Sequence, residues 1–139
     1  MIICKTAAEL KNTLQKITSQ DISIGYVPTM GALHEGHLSL VRKCAAENSV
    51  TVCSIFVNPI QFNNPEDLAK YPRTPELDIE LIEPYCQVLF MPSVEDMFPN
   101  EATEQFSFGQ LELVMEGACR PGHFNGVAII VSRDRKSVV

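Results

Sequence analysis

The chain has 139 residues, 45% of them hydrophobic, which suits one small globular domain with a sizeable core. Its formal net charge is −6 and its basic residues do not cluster before the last few positions, which argues against a nucleic acid as the main partner. No apolar run is long enough to span a membrane, and no signal peptide is recognisable. The five cysteines are an odd number without a Cys-x-x-Cys pair, which is typical of reduced thiols, so we expect a cytoplasmic protein.

The first half of the chain alternates between strand and helix patterns. An apolar run predicts a buried strand over residues 22–28, and apolar residues at helical spacing predict a helix over residues 36–48. Residues 50–57 form a nearly continuous, β-branched apolar run, which is typical of a strand covered on both faces.

Two short helices and a third strand follow. Each helix begins with a proline, and we predict them over residues 65–71 and 75–83. The third strand is predicted over residues 87–91. This alternation predicts an α/β fold with a Rossmann-like, doubly wound parallel sheet, in which ligands bind beyond the carboxyl ends of the strands. We expect the strand over residues 22–28 to lie in the interior of the sheet.

Two histidines lie at the turn between the first predicted strand and the first predicted helix. Free backbone N–H groups and the positive end of the helix dipole attract phosphate at such a turn, and glycines allow a close approach. Two imidazoles there could stabilise the charge that develops when a nucleotide is cleaved. The turn therefore predicts a nucleotide site, and it reads Pro28-Thr29-Met30-Gly31-Ala32-Leu33-His34-Glu35-Gly36-His37.

The same histidines have simpler explanations. A His-x-Gly-His tetrapeptide also occurs by chance, and His-x-x-His is half of a zinc site, although a third ligand at close spacing is missing. The strand before the motif and the helix after it supply the context that a nucleotide site requires, and so favour that interpretation.

Polar side chains also follow the second predicted strand. Asn58 and Gln61 offer amide groups that could hold a small polar substrate, although a proline turn with a capping asparagine explains Asn58 slightly better. Arg73 could bind a carboxylate or phosphate, or pair with Asp67 or Asp78 in a structural role.

A glycine-rich segment over residues 116–126 precedes an apolar run at residues 127–131. Arg120 and His123 in this segment could reach an anion, and they fit the roles of turn and helix-cap residues equally well.

Four sequence blocks together carry a family resemblance. They are residues 26–41, 54–62, 65–74 and 116–127, and they stand in the order and at the spacing of one family. Over residues 1–132 the chain resembles the pantothenate synthetases, the AMP-forming pantoate–β-alanine ligases of the nucleotidyltransferase superfamily. The resemblance implies the sheet of the His-x-Gly-His nucleotidyltransferases, truncated here before its last strands.

The resemblance also implies a two-step reaction. ATP first adenylates the carboxylate of (R)-pantoate and pyrophosphate leaves, and the amine of β-alanine then attacks the acyl adenylate to give pantothenate and AMP. The implied cofactors are ATP and Mg²⁺, whose ligands we do not assign. The implied partners are these three small molecules and, as in the family, a second copy of the complete protein, with no nucleic acid and no membrane.

The family's site residues are carried over by motif. His37 matches the proton-donor histidine, and His34 is expected beside it at the phosphates. Gln61 matches the residue that holds pantoate beside the β-alanine position. The expected ATP-binding turn is Met30, Gly31, Ala32, Leu33, His34, Glu35, Gly36 and His37, and the expected pantoate and β-alanine residues are Gln61, Met30, Asn58, Arg120 and His123.

The chain departs from the family in its length and its end. It lacks the family's Gly-x-Lys-Asp-x-x-Gln and Ser-Ser-Arg-Asn-like loops and its C-terminal domain, so residues 1–133 are expected to be an incomplete N-terminal domain that is inactive alone. Residues 134–139 read like a translated sequencing adapter and are expected not to be native, with a frameshift or a natural variant end as the alternative.

Other expectations concern function and pairing. Two alternative functions remain: the protein could be another small-molecule nucleotidyltransferase, or a fragment that binds a nucleotide without catalysis. Residues 105–109, where Phe106 and Phe108 alternate with smaller residues, are a candidate edge strand for pairing between copies.

Overall fold

The computed structural model of the chain describes residues 1–17, 22–99, 106–107 and 119–138. Strands and helices alternate through most of this length. In chain order the elements are β1 (Ile2–Cys4), α1 (Ala7–Ile17), β2 (Ile24–Thr29), α2 (Glu35–Glu47), β3 (Val50–Ile55), a 3₁₀ helix (Pro59–Gln61), α3 (Pro65–Lys70), α4 (Pro75–Ile82), β4 (Val88–Phe90), α5 (Val94–Met97) and α6 (His123–Val138).

The described strands form one parallel sheet in the order β1-β4-β3-β2. The predicted α/β class and parallel sheet are confirmed, and the three predicted strands are present within a few residues of their predicted bounds. Strand β1 and helix α1 were not among the predicted elements. Strand β1 has only three residues, and its Ile2 and Ile3 are 47% and 44% exposed, so it shows no clear pattern of burial.

The prediction that the first predicted strand lies in the sheet interior was wrong for the described residues. Strand β2 is last in the strand order and pairs only with β3, from Ile24 opposite Val50 to Thr29 opposite Ile55. All the other described strands lie on one side of β2, which leaves its other side without a described neighbour. These strands are β3, β4 and β1, and β1 was not predicted.

Two hydrophobic clusters cover the two faces of the sheet. On one face, Leu10 and Leu14 of α1 and Ile130 of α6 pack on side chains of β3 and β4. On the other face, Leu38 and Val41 of α2 pack with Ile82 of α4, against the sheet residues Val27, Cys53 and Leu89. Alternate residues of the central strands face opposite layers, which is why those strands read as continuous apolar runs.

The cysteines are all free thiols, as predicted, and Cys4, Cys53 and Cys86 are buried. Within the ranges that the structure describes, no helix is both long enough and apolar enough to cross a membrane.

One prediction falls largely beyond the described residues. Of the candidate edge strand at residues 105–109, only Phe106 and Ser107 are described, and neither lies in a strand. The backbone N–H of Phe106 donates to Asn125 Oδ1 at 2.7 Å. Helix α6 contains the predicted apolar segment over residues 127–131 and continues to Val138.

Candidate active site

The turn between β2 and α2 is held in an unusual backbone conformation. Gly31 and Ala32 have φ angles of +78° and +51°, in the left-handed region that residues with a side chain rarely adopt. Thr29 supports the start of the turn, because its hydroxyl donates to Ser54 O at 2.7 Å and accepts from the N–H of Gly31 at 3.2 Å.

Asp78, on α4, supports the middle of the turn. Its carboxylate oxygens accept the N–H of Ala32 at 2.9 Å and the N–H of Leu33 at 2.8 Å, and the hydroxyl of Thr74 lies 3.3 Å from Oδ1. The side chain is only 1% exposed, and a Cβ on Gly31 would lie 3.0 Å from Asp78 Oδ2. The turn therefore depends on a carboxylate that is distant in sequence.

The two histidines cap the amino end of α2. His34 is the N-cap residue, and its Nδ1 accepts the N–H of Gly36 at 3.1 Å. The N–H of His34 lies 3.4 Å from Nδ1 of His37, which completes a capping box with imidazoles in place of the usual side chains. Gly36 makes room for this arrangement, because a Cβ there would lie 2.9 Å from Cε1 of His34.

These hydrogen bonds correct one expectation about the turn. Free backbone N–H groups were expected to be available to phosphate, but five of them have partners within the chain, donated by Gly31, Ala32, Leu33, His34 and Gly36. The Thr29 hydroxyl, the buried carboxylate and the two imidazoles accept the hydrogens that an anion would otherwise use.

The capping box also determines where each imidazole carries its proton. Since Nδ1 of each ring accepts a backbone N–H, the proton of the neutral ring lies on Nε2. The ring centroids are 4.1 Å apart. Partial burial and the neighbouring His34 lower the pKa of His37 below its ordinary 6.5, while Asp78 opposes this shift. His37 is therefore a neutral Nε2–H donor near pH 7.

A cavity of about 270 Å³ lies beside the turn, at the carboxyl end of β2. Its wall is mainly apolar and carries a few polar side chains, the combination typical of small-molecule sites. The apolar residues are Pro28, Met30, Phe56, Val127, Ile130 and Val131, and the polar ones are Thr29, His37, Gln61 and Tyr71. The structure thus brings Met30, His37 and Gln61 together, and His37 is half-buried while His34 is exposed.

A buried amide network positions Gln61. Asn58 is fully buried, and its Nδ2 donates to Gln61 Oε1 at 3.1 Å and to Gly126 O at 2.9 Å. The second amide atom of Gln61, Nε2, lies 2.9 Å from the sulfur of Met30. Asn58 also caps the 3₁₀ helix, because its Oδ1 accepts the N–H of Ile60, which agrees with its interpretation as a capping residue. Its predicted contact with substrate stays a prediction.

Helix α6 approaches this network closely at Gly126. A Cβ at that position would lie 2.9 Å from Cα of Gln61 and 3.0 Å from its backbone N. The same helix carries His123, whose Nδ1 is 3.1 Å from the carbonyl oxygen of Gln61. Glycine at position 126 therefore allows α6 to form one wall of the cavity.

The remaining predicted site residues lie around this centre. The Arg120 guanidinium lies 5.6 Å from the centroid of the Phe62 ring. Glu35 is exposed and pairs with Arg42. Arg73 is exposed and lines a second cavity of about 320 Å³, whose wall also includes Asp78 and which shares Met30 and Phe56 with the first cavity. The roles predicted for Arg120, Glu35 and His123 at the ligands stay predictions.

Sequence reasoning missed two residues that shape the site. Asp78 was considered only as a partner for Arg73, because an acidic residue in the first turn of a helix is common on electrostatic grounds alone. Gly126 gave a usable signal, since a glycine inside a helical segment often marks a close backbone approach.

The described residues contain no group of three or more His, Cys, Asp or Glu side chains that could hold a metal ion. The His-x-x-His pair is therefore not completed as a zinc site within these ranges.

Comparison with known sequences points to one family. The family model described as pantoate-beta-alanine ligase matches residues 2–135. Pantothenate synthetase of Azobacteroides pseudotrichonymphae is 54% identical over 135 residues, which make up 96% of this chain and 48% of that protein. Pantothenate synthetase of Phocaeicola vulgatus is 54% identical over 134 residues, with the same two coverages.

Solved structures share the fold. The pantoate-beta-alanine ligase of Francisella tularensis, crystallised with beta-gamma ATP and beta-alanine, superposes with a TM-score of 0.91 at 38% identity, covering 99% of this chain and 53% of that one. Pantothenate synthetase of Thermus thermophilus gives a TM-score of 0.86 at 42% identity, covering 99% and 49%. The chain spans about half the length of the curated relatives it matches.

Proposed function

The chain belongs to the pantoate–β-alanine ligase family, and we propose that it forms the ATP- and pantoate-binding part of an enzyme that joins (R)-pantoate to β-alanine. The carboxylate of pantoate attacks the α-phosphorus of ATP, and the bond to pyrophosphate breaks. The amine of β-alanine then attacks the carbonyl of the pantoyl adenylate, AMP leaves, and pantothenate is formed.

The observation that carries this proposal is the meeting of Met30, His37 and Gln61 around one cavity. The apolar wall suits the branched hydrocarbon body of pantoate, and its volume of about 270 Å³ suits a small acid. The polar groups of pantoate need few partners, and Gln61 offers one. Its Nε2–H group lies against a thioether sulfur, a weak acceptor, so a substrate oxygen is a better partner for it.

His37 supplies charge stabilisation in the adenylation step. Its Nδ1 accepts a backbone N–H, so Nε2–H is the group available to a phosphate oxygen. A donor held in place before the reaction stabilises the charge that develops on the phosphate without reorganising. His34 presents its Nε2–H in the same way from the N-cap position. Adenylation by an existing carboxylate needs positioning and charge stabilisation more than a strong base.

The other proposed components follow the family. Mg²⁺ enters with the phosphates of ATP, and no residue of the described chain is assigned to it. The complete protein is proposed to pair with a second copy of itself and to work in the cytoplasm. Since the chain spans about half of its relatives, the loops that hold the triphosphate are proposed to lie in the other half.

Pantoate-dependent exchange between ATP and pyrophosphate tests the proposal in a full-length enzyme that carries these residues. Exchange should require pantoate and proceed without β-alanine. His37→Ala should lower its rate by roughly 10²–10³-fold, the usual cost of losing one preorganised charge-stabilising donor.

His37→Gln is the matched variant, because a glutamine at this position of a capping box accepts the same backbone N–H. If the imidazole stabilises charge, the glutamine enzyme should melt like the unmodified one and still lose most of its exchange activity. Exchange that proceeds equally well without pantoate, or with another acid of similar size, would overturn the proposed substrate and favour a different nucleotidyltransferase.

A further inference from the structure

The carboxylate of Asp78, on α4, accepts hydrogen bonds from the backbone of the turn between β2 and α2. Both of its oxygens are used, Oδ2 by Ala32 and Oδ1 by Leu33 and Thr74. The side chain is 1% exposed, and a carboxylate is rarely buried to this extent unless it is well satisfied by donors. The turn it contacts lies 45 or 46 residues earlier in the chain.

The turn is a segment that needs such support. Ala32 adopts a φ of +51°, which an alanine does not favour, directly after Gly31 at +78°. Two residues later the chain reaches His34, the N-cap of α2, and then His37. A small change in the conformation of Gly31 and Ala32 therefore moves both imidazoles relative to Met30, which precedes Gly31 and lines the cavity.

We infer that Asp78 is a positioning residue for the adenylation step, because its carboxylate holds the backbone of Ala32 and Leu33 in the conformation that places His37 at the cavity and His34 next to it. This inference rests on the proposed function. It assigns to Asp78 a role through the histidines, without direct contact between Asp78 and the substrate.

The charge of Asp78 has a second effect on His37. The carboxylate favours the charged form of that imidazole and opposes the lowering of its pKa by burial and by His34. Removing the charge should therefore move the titration of His37 to lower pH, which a purely structural contribution of Asp78 to the core would not do.

Asp78→Asn in the full-length enzyme tests the inference. The amide keeps the shape of the carboxylate but has one acceptor oxygen, and its NH₂ group would oppose one of the two backbone N–H donors. We expect kcat of pantoate-dependent exchange to fall by roughly 10²-fold, the order of loss for a displaced catalytic group, while KM for pantoate changes far less. In NMR spectra the His37 ring should titrate at lower pH.

Asp67→Asn is the matched control, since Asp67 lies exposed on α3, and it should leave both measurements unchanged. Unchanged kcat in Asp78→Asn, or an unchanged His37 titration in a folded variant, would overturn the inference.

If Asp78→Asn does not fold, hydrogen exchange in the unmodified enzyme tests whether Asp78 holds the turn. The amides of Ala32 and Leu33 should then be strongly protected, and exchange as fast as that of exposed loop amides would overturn the inference. An enzyme with no pantoate-dependent exchange would contradict the proposed function, while the His37 titration and the two amides would still show whether Asp78 holds the turn.

Discussion

At the scale of single residues, the side-chain amides of Asn58 and Gln61 have different hydrogen-bond partners. Asn58 makes its contacts inside the protein, to Gln61 and Gly126, whereas Gln61 presents an Nε2–H group toward Met30 at the cavity. Both residues follow the same predicted strand in the sequence, and the sequence pattern does not show which of them is structural and which faces a ligand. Both side chains are buried, and the difference is that Gln61 lines the cavity while Asn58 does not.

Gln61→Ala should weaken pantoate binding much more than ATP binding. The variant removes a hydrogen-bond donor to a substrate group in a mostly apolar cavity, which should cost about 1–3 kcal/mol of binding free energy. Calorimetric titration of each ligand into the full-length enzyme measures the two losses separately. Gln15→Ala, on the exposed side of α1, is the control and should change neither affinity. Equal losses for both ligands would mean that Gln61 only supports the fold.

At the scale of secondary-structure elements, two helix ends shape the site. Helix α2 begins with a capping box made of His34 and His37, and helix α6 approaches the 3₁₀ helix where residue 126 is a glycine. Neither arrangement tolerates every side chain of similar polarity. The first needs side-chain acceptors that carry no proton, and the second needs a residue without Cβ.

The stability of the amino end of α2 should fall in acid. The folded state lowers the pKa of His37 below its ordinary 6.5, chiefly through burial and then through His34, against the opposing charge of Asp78. The unfolded chain therefore binds more protons than the folded chain as the pH drops below about 6.5, so stability is present above that pH and is lost as the pH falls through the lower, folded pKa.

Melting curves between about pH 8 and pH 5 should show this loss, and the amide of His34, which donates to His37 Nδ1, should lose protection against hydrogen exchange relative to its intrinsic rate over the same interval. His37→Gln keeps the acceptor without the titrating ring, so the difference in melting temperature between the two proteins isolates the histidine. A difference that does not change with pH would show that His37 does not titrate as the structure indicates.

Gly126→Ala should disturb both the packing of α6 and the site. The new Cβ would lie 2.9 Å from Cα of Gln61, where the contacted atoms are backbone and do not move easily. Overpacking of this kind costs about 1–3 kcal/mol of unfolding free energy, and it should also weaken pantoate binding by displacing Gln61. Denaturant unfolding and pantoate titration measure the two effects.

Gly122→Ala is an informative comparison. Gly122 has a φ of +79° and open space around it, so alanine there should destabilise the chain by backbone strain, about 1–2 kcal/mol, and leave pantoate affinity unchanged. Equal effects of the two variants on pantoate affinity would contradict the role given to the close approach at Gly126.

At the scale of the whole molecule, the fold places the site beside a sheet edge. Strand β2 carries the turn and pairs with β3 alone within the described ranges. A strand of six residues that ends the described part of a sheet is a template for pairing with another chain. The matched relatives are about twice as long as this chain.

The 139-residue chain by itself should therefore form no detectable pantothenate and should associate with itself. Product assays with pantoate, β-alanine and ATP, together with light scattering after gel filtration, test both parts. Pantothenate formation at ordinary enzyme rates would refute the need for the other half. A monomer that melts cooperatively would contradict the effect assigned to the edge of β2.

The sequence alone determined the α/β class, the approximate bounds of three strands, the family, and three of the residues that line the cavity, Met30, His37 and Gln61. These features depend on local periodicity and on blocks of neighbouring residues, which a linear pattern contains directly. The bond from Asp78 to Ala32 and Leu33, and the edge position of β2, depend on contacts between distant parts of the chain. Only the tertiary structure could decide them. A buried carboxylate accepts hydrogen bonds from whichever N–H groups lie near it in space, and these can be distant in the sequence. The strand order depends on how the helices cover the two faces of the sheet.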